Sequence, residues 1–439
     1  MKTIFRNITG TFDILPEAYE SDGTEVASVA AWQYVEATIR EVMARYHARE
    51  IRTPILEPTE LVARGVGAQT DIVTKEMFAF ERGDTHYVLR PEVTAPVMRA
   101  YLQHRLDQWG GVQRLYYIGP CFRAERPQKG RYRQFHQFGA ELIGSEDARV
   151  DVEVIALMMD VYRAFGLEEM TLRLNTLGDA ESRPRYREAL RAYLAPYARE
   201  LTETSRRRLE TNPLRILDTK EEKERRLLDE APRLADFIDD ASRAHFEEVK
   251  GLLQDLGIDF VEDPFLVRGL DYYNRTAFEL ESPDLGAQSA LAGGGRYDRL
   301  ACELGSKAPV PAVGFAAGIE RLFIALAARQ AALPAAEPPD VFLVALGDEA
   351  ARFVVRLARD LRNQGLHVAY DLKGRSMKAQ MREANRQQAP RTVILGQDEL
   401  AARRAQVKTM ATGAQVEVPL EELADHLRGL APAREPHTA

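Results

Sequence analysis

The chemistry most readable in this chain lies between residues 119 and 138. The run Gly119-Pro-Cys-Phe-Arg-Ala-Glu-Arg-Pro-Gln-Lys-Gly-Arg-Tyr-Arg-Gln-Phe-His-Gln-Phe gathers Arg123, Arg126, Lys129, Arg131 and Arg133, with Glu125 as the acid among them. Cations at this density repel one another unless an anion is shared, and arginine grips phosphate oxygens bidentately. A polyphosphate or a nucleic-acid end would be such an anion, with Tyr132 and Phe135 offering faces on which a base could stack. An exposed basic hairpin that binds nothing in particular is the competing reading.

A second cluster, Leu266-Val-Arg-Gly-Leu-Asp-Tyr-Tyr-Asn-Arg-Thr-Ala-Phe-Glu, sets Arg268 and Asp271 beside Tyr272 and Tyr273, ahead of a strand that starts near Thr276. Adjacent tyrosines beside a strand serve equally well as core packing. The glycines 293–295 either let backbone approach a ligand closely or form a tight turn. They are not a dinucleotide fingerprint, because no G-x-G-x-x-G follows a strand and opens a helix. A Walker A sequence is absent. His and Cys show no metal-ligand spacing, so no zinc site is expected. The Ser376-Met-Lys378 triplet faintly resembles the lysine signature of class I aminoacyl-tRNA synthetases, but it falls inside a predicted helix of the C-terminal module.

The elements that must position these residues follow from periodicity. Residues 24–50 read as an amphipathic helix, with Val29, Trp32, Val35, Ile39, Val42, Met43 and Tyr46 at helical spacing. Short apolar runs at 87–89, 115–118 and 135–143 read as strands, and residues 150–165 as a second helix. Strand signals vanish over 179–256, where Arg, Glu and Leu dominate; this reads as a helical insertion whose charges are mostly solvated. Strand character returns at 260–267 and 276–281, and Val313-Gly-Phe-Ala-Ala-Gly-Ile-Glu-Arg-Leu reads as a strand entering a helix. The Pro/Ala-rich residues 333–340 form the clearest linker. Beyond it, β-α-β-α-β alternation predicts a small α/β domain with a largely parallel sheet. The expected divisions are therefore 1–178 and 257–332 for a split mixed α/β body, 179–256 for the insertion, 341–430 for the C-terminal domain and 431–439 for a tail.

The 439 residues carry a net charge of -8 with 45% hydrophobic residues, values of an ordinary globular protein. Two cysteines, Cys121 and Cys302, make no disulfide framework and fit a reducing compartment. No run reaches the roughly 20 apolar residues of a membrane helix, and residues 1–15 lack the apolar core of a signal peptide. A soluble protein is expected. The acidic balance argues against a surface coated by nucleic acid but leaves room for a local basic groove.

Taken together, these pieces resemble the histidyl-tRNA synthetase family of class II aminoacyl-tRNA synthetases over nearly the whole chain. Gly10-Thr-Phe-Asp-Ile-Leu-Pro resembles the family's N-terminal signature, and the first helix leading to Pro54 resembles motif 1. Phe122-Arg-Ala-Glu through Phe135 resembles motif 2, and Gly314-Phe-Ala-Ala-Gly-Ile-Glu-Arg resembles motif 3. Arg268-Gly-Leu-Asp-Tyr-Tyr and Gly294-Gly-Arg-Tyr-Asp resemble the two histidine-specific motifs. The resemblance implies an α/β multidomain fold: a mixed, mainly antiparallel class II sheet with helices, a helical insertion, and a C-terminal α/β anticodon-binding domain.

It also implies roles. Arg123 and Arg321 are expected on the α- and γ-phosphates of ATP, Glu125 near the adenine amino group and Phe135 on the ring. Arg268 matches the family's distinctive arginine beside the α-phosphate, which makes it, with Arg123, the expected catalytic pair. Glu92 and Thr94 match residues that hold the substrate ammonium; Val93 between them stands where the family often has Gly. Gln137, Glu141, Tyr272 and Tyr273 match positions lining a histidine pocket, with Tyr297 as a further candidate; Arg123 and Arg268 border it. Gln128, Lys129 and Arg131 are placed to meet the tRNA acceptor end, and Lys373, Arg375, Lys378 and Arg382 to meet the anticodon. The implied substrates are ATP with Mg²⁺, L-histidine and tRNA(His), in a cytoplasmic homodimer formed through motif 1. The rival implied by the same resemblance is a non-catalytic regulatory subunit of ATP phosphoribosyltransferase, a class that generally lacks the C-terminal domain.

Overall fold

In a computed structural model of the chain, the described residues are 5–430 apart from positions 22, 68, 69, 180, 218, 220, 268, 269, 287 and 288. The Ser28 hydroxyl accepts from the Ala31 N–H at 3.3 Å and starts α1 (Val29–Arg45), whose Trp32, Val35, Ile39, Val42 and Met43 are buried. This helix is shorter than its apolar spacing predicts. Residues Thr24–Val26 pair with Tyr19–Ser21 instead, and His47, at a φ of 58°, turns the chain out of the helix.

The body is an eight-stranded sheet. Its strands, in chain order, are β1 (Arg49–Glu50), β2 (Gln113–Phe122), β3 (Gln134–Ile143), β4 (Thr171–Thr176), β5 (Phe260–Glu262), β6 (Asn274–Glu281), β7 (Ala290–Arg296) and β8 (Ala312–Gly318). They lie in the order β5-β4-β6-β7-β8-β3-β2-β1. All neighbours are antiparallel except the two outermost pairs, β5/β4 and β1/β2. The strand expected over 260–267 stops at Glu262 because Pro264 has no N–H to continue a ladder. The glycines 293–295 are neither a turn nor a loop; they lie inside β7, between β6 and β8.

Period-two alternation divides the sheet into two faces. Phe138, Ala140, Leu142, Phe278, Leu280, Val313 and Phe315 face a core closed by α1, α4 (Ala148–Arg163), α8 (Asp240–Asp255) and α9 (Ile319–Ala328). The alternate positions, including Leu115, Tyr117, Cys121, Ile143 and Ala277, face a second core. It is covered by α3 (Thr94–Gln103) and by α5 (Ser182–Leu194), α6 (Glu203–Thr211) and α7 (Glu222–Asp229). Among these last three, Glu224 is buried and accepts from the Thr202 N–H at 2.7 Å and from the Ser205 and Thr219 hydroxyls at 2.8 and 2.6 Å. Although its composition matches theirs, α8 packs Phe246, Val249 and Leu253 into the first core.

The chain divides into two compact units, Met1–Pro334 and Ala335–Ala439. The second holds a five-stranded sheet. Val341–Ala345, Val368–Tyr370 and Arg391–Leu395 are parallel, as the alternation predicts, while Arg404–Thr409 and Gln415–Pro419 extend it antiparallel. Within this unit Arg375 is engaged by Asp371 at 2.5 Å and Glu383 at 3.3 Å, whereas Lys373, Lys378 and Arg382 are exposed. Ser376 and Met377 open the helix Met377–Arg386. Among the described residues, no helix is long and apolar enough to cross a membrane.

Candidate active site

The polar residues singled out by the sequence lie on the sheet face opposite the first core. Phe135, Gln137 and Glu141 alternate along β3, and Gly314 pairs with Glu141 in the neighbouring strand. A Cβ at position 314 would collide with the Glu141 carboxylate, so the glycine of motif 3 makes room for the acid. Glu141 is fully buried. One of its oxygens accepts from the Thr94 hydroxyl at 2.7 Å and the other from the Tyr297 hydroxyl. Burial pushes its pKa up to about 8, against the opposing pull of these hydrogen bonds.

Glu92 lies beside it. Its carboxylate accepts from the Thr94 and Ala95 N–H groups at 2.7 and 3.0 Å, capping α3, where a negative charge meets unpaired amides. Burial nonetheless raises its pKa. Val93 takes a φ of -118° and packs its side chain into the core, so this position demands no glycine conformation. Tyr272, Tyr273 and Tyr297 form one ring cluster with centroids 4.6 to 6.5 Å apart. Burial raises the Tyr272 and Tyr297 hydroxyls well above the ordinary tyrosine pKa, and the Glu141 charge adds to it in both.

Along the same face, at Gln137 and Phe135 of β3, opens a cavity of about 770 Å³ walled by Arg123, Glu125, Arg131, Phe135, Gln137 and Arg321, among others, within the size range of small-molecule sites. Arg123 lies over the Phe135 ring at 5.1 Å and donates to the Pro91 carbonyl at 3.0 Å. In return Arg90 reaches under the hairpin to the Pro120 carbonyl at 2.9 Å. Arg321 donates to the Ala290 carbonyl at 2.6 Å; burial, then the nearby Arg131, lower its pKa. Arginines gathered on the wall of one cavity favour an anion within it. Glu125 pairs with Arg131 at 3.4 Å. At the hairpin tip the backbones of Gln128 and Arg131 bond to each other, which leaves Gln128, Lys129 and Arg131 exposed at the rim. Glu279 and Glu281 line the cavity from β6. Among the described residues, no three His, Cys, Asp or Glu side chains are grouped to hold a metal ion.

Arg268 lies outside the described residues. The other residues expected for the amino-acid, nucleotide and acceptor-end contacts fall in the buried Glu141 cluster, the cavity wall or the basic hairpin, whereas Lys373, Arg375, Lys378 and Arg382 belong to the second unit. Three contributors went unnoticed. Glu320 accepts from the His136 N–H with both oxygens, at 2.9 and 3.0 Å, and sits 3.0 Å from the His136 ring, tying the start of β3 to α9. Its place one residue before Arg321 was the available signal. Tyr117 turns its hydroxyl toward the Glu141 cluster against Gly139. Arg296, beside Tyr297, points the other way and is wholly buried against Asp151 and Asp298.

A family model for histidyl-tRNA synthetase matches residues 25–322. The chain belongs to the histidyl-tRNA synthetase family. A model for the anticodon binding domain matches residues 340–430. The chain is 51% identical over 419 residues to the histidine–tRNA ligase of Chloroherpeton thalassium, covering 94% of this chain and 95% of that one. The Bacillus cytotoxicus histidine–tRNA ligase is 47% identical over 424 residues, 95% of this chain and 97% of that one. Among solved structures, apo S. aureus histidyl-tRNA synthetase superposes with a TM-score of 0.79 at 39% identity, covering 97% of this chain and all of that one. A Bacillus halodurans structure described as an ATP phosphoribosyltransferase regulatory subunit/histidyl-tRNA synthetase is 23% identical with a TM-score of 0.62, covering 90% of this chain and 99% of that one, and shares the fold. The mixed, mainly antiparallel sheet is thus the class II synthetase fold that the sequence motifs lead one to expect.

Proposed function

We propose that this synthetase-family chain activates L-histidine with ATP and transfers it to tRNA(His), and that the residues described above carry the chemistry. The observation that carries the assignment is the buried Glu141, held by Thr94 and Tyr297, on the strand whose Phe135 and Gln137 line an arginine-walled cavity. An acid at the bottom of a tyrosine-lined pocket rewards an imidazole N–H and leaves polar groups unpaired against an apolar competitor. Sites of that kind discriminate by roughly 10⁴–10⁵ without editing.

Activation needs little acid–base help, because the substrate carboxylate is already ionised. It attacks the α-phosphorus, a carboxyl-O–P bond forms, and the bond to the bridging oxygen breaks to release pyrophosphate. The obstacles are repulsion between two anions and charge growing on the phosphoryl oxygens. Arg123 and Arg268 at the α-phosphate and Arg321 at the γ-phosphate counter both; one such contact is worth on the order of 10²–10³ in rate. Glu125 and Phe135 hold the adenine. Glu92 and Thr94 hold the substrate ammonium, and Gln137, Glu141, Tyr272, Tyr273 and Tyr297 surround the side chain. In the second step the 3′-hydroxyl oxygen of the terminal tRNA ribose attacks the carbonyl carbon of the mixed anhydride. An ester C–O bond forms, the bond from that carbon to the bridging oxygen breaks, AMP leaves with the bridging oxygen, and the hydroxyl proton is released.

Magnesium typically comes with nucleotide phosphates and one or two carboxylates rather than in an all-protein cage. Glu279, on the cavity wall and near enough to Arg321 for their charges to interact, fits that role. A bound ion would neutralise phosphate charge. Gln128, Lys129 and Arg131 at the rim meet the acceptor end, and Lys373, Lys378 and Arg382 the anticodon, with Arg375 braced by its own acids. We assign the chain to a cytoplasmic homodimer joined through motif 1. The regulatory-subunit reading has less support, given relatives near 50% identity named histidine–tRNA ligase over almost the full chain. ATP–pyrophosphate exchange with each of the twenty amino acids tests the assignment. Exchange with histidine alone is expected, and no exchange at all would overturn it.

A further inference from the structure

The loop that delivers Tyr272 and Tyr273 is gripped from two sides. On one side the Asp271 N–H donates to the Val66 carbonyl at 3.1 Å, at the end of α2 (Thr59–Val66). The Asp271 side chain lies against Gly67, where a Cβ would stand 2.6 Å from Oδ2. On the other side Arg183 donates from Nη1 to the carbonyls of Asp271 and Tyr273, both at 2.8 Å. These carbonyls bracket the Tyr272–Tyr273 pair, so one guanidinium sets the peptide plane before Tyr272 and the one after Tyr273.

Arg183 belongs to the first turn of α5, the helix that opens the insertion. The same junction is knotted to the tyrosine loop by backbone: the Arg275 N–H donates to the Gly178 carbonyl at 2.7 Å and the Leu177 N–H to the Arg275 carbonyl at 2.6 Å. Arg275 holds a φ of 47° there, a conformation side chains rarely adopt and one that surrounding contacts must maintain. The hydrogen-bond partners of Arg183 are carbonyl dipoles, with the Asp271 carboxylate near enough for its charge to act on the guanidinium. Burial, reinforced by Arg187, pulls its pKa below the ordinary arginine value. A desolvated cation met by two carbonyls is an expensive way to fill space and a good way to fix a backbone, since hydrogen bonds with a charged donor are the stronger ones.

We propose that Arg183 is a positioning residue for histidine recognition: it holds Tyr272 and Tyr273 in register with Glu141 and ties that register to the first helix of the insertion. The proposal rests on the histidine-pocket reading given above. Arg183 is not among the residues that line the cavity and meets the tyrosine cluster through backbone carbonyls, so its removal acts on amino-acid binding through the tyrosines and leaves nucleotide binding alone.

The test compares full-length wild type, Arg183→Ala, Arg183→Lys and Tyr272→Phe in ATP–pyrophosphate exchange, varying histidine and ATP in turn, with thermal melts to establish folding. The Ala variant is expected to raise histidine KM by about tenfold or more, as misplacement of binding groups does, while ATP KM stays within about twofold. The Lys variant, which keeps a charged nitrogen with N–H donors on a shorter side chain, is expected to recover part of the loss. If Arg183→Ala does not fold, Arg183→Lys carries the test by the same selective rise. Unchanged histidine KM in a folded variant, or equal rises for histidine and ATP, would overturn the proposal. Tyr272→Phe separates the two readings. An effect at Tyr272 without one at Arg183 rejects the positioning role alone, whereas no effect at Tyr272 rejects the pocket itself.

Discussion

Glu141 offers the sharpest test because its proton is coupled to that of the substrate. Burial raises its pKa to about 8, so below that pH the free pocket carries a proton on the carboxyl. Free imidazole gives up its own proton near 6.5 (about the unperturbed value). A complex between the two needs one proton shared along the carboxyl–ring contact. Between about 6.5 and about 8 the separate partners bring one proton, and affinity is flat with pH. Below that window they bring two and one must leave; above it they bring none and one must be taken up. Each side therefore weakens binding by about tenfold per pH unit. Glu141→Gln keeps an oxygen for the Thr94 hydroxyl and an amide group that can face the Tyr297 hydroxyl, so the floor stays hydrogen-bonded. It removes the charge and the titration. A hydrogen bond to a charged group is worth about 1.5–3 kcal/mol, so histidine KM should rise roughly 10- to 150-fold at pH 7. The alkaline fall that begins near the Glu141 pKa should vanish, leaving only the fall set by the substrate ammonium. Exchange kinetics with histidine varied from pH 5.5 to 9.5 measure both. An unchanged KM, or an alkaline limb that stays at the same pH in the variant, would refute the reasoning.

Arg268→Ala should abolish ATP–pyrophosphate exchange while equilibrium ATP binding persists, and retained exchange would remove its catalytic role. Gly314→Ala places a methyl where the Glu141 carboxylate sits; histidine KM should rise at least as much as in Glu141→Gln, and an unaffected KM would show that the floor has room to spare. Arg296→Met leaves Asp151 buried without its guanidinium partner, a change that costs about 3–5 kcal/mol. Denaturant unfolding should show that loss, with histidine and ATP KM of the folded variant unchanged.

Much of the fold was legible because its signals are local. The apolar spacing of α1, the strand-to-helix passage into α9 and the alternation of the C-terminal unit each sit within a short window of sequence. The site residues were found in groups, because the basic loop, the tyrosine pair and the glycine run each concentrate unusual types. Their mutual arrangement was not legible. That Glu141 and Tyr297 share a hydrogen bond depends on β3 and β7 lying on either side of β8, a fact of strand order across more than a hundred residues. Arg296 shows the same limit from the other side: next to Tyr297 in a functional motif, it points into a buried ion pair because alternation along β7 turns it away. The end of α1 and the return of α8 to the main core were equally invisible, since composition does not reveal which face a helix is offered.

The strip of Gly139, Gly314 and Gly295 on the site's face of the sheet has a consequence for inhibition. Each has a side chain where its Cβ would go: Tyr117, Glu141 and Tyr273 respectively. A floor made of missing side chains cannot be altered conservatively, because every substitution adds atoms to occupied space. A compound gripped by the side chains seated on this strip therefore presents the enzyme with few routes to resistance. A change that expels it also displaces the groups that hold the substrate, whereas a compound gripped only by the exposed rim residues Gln128, Lys129 and Arg131 can be lost by a surface exchange that leaves the floor intact.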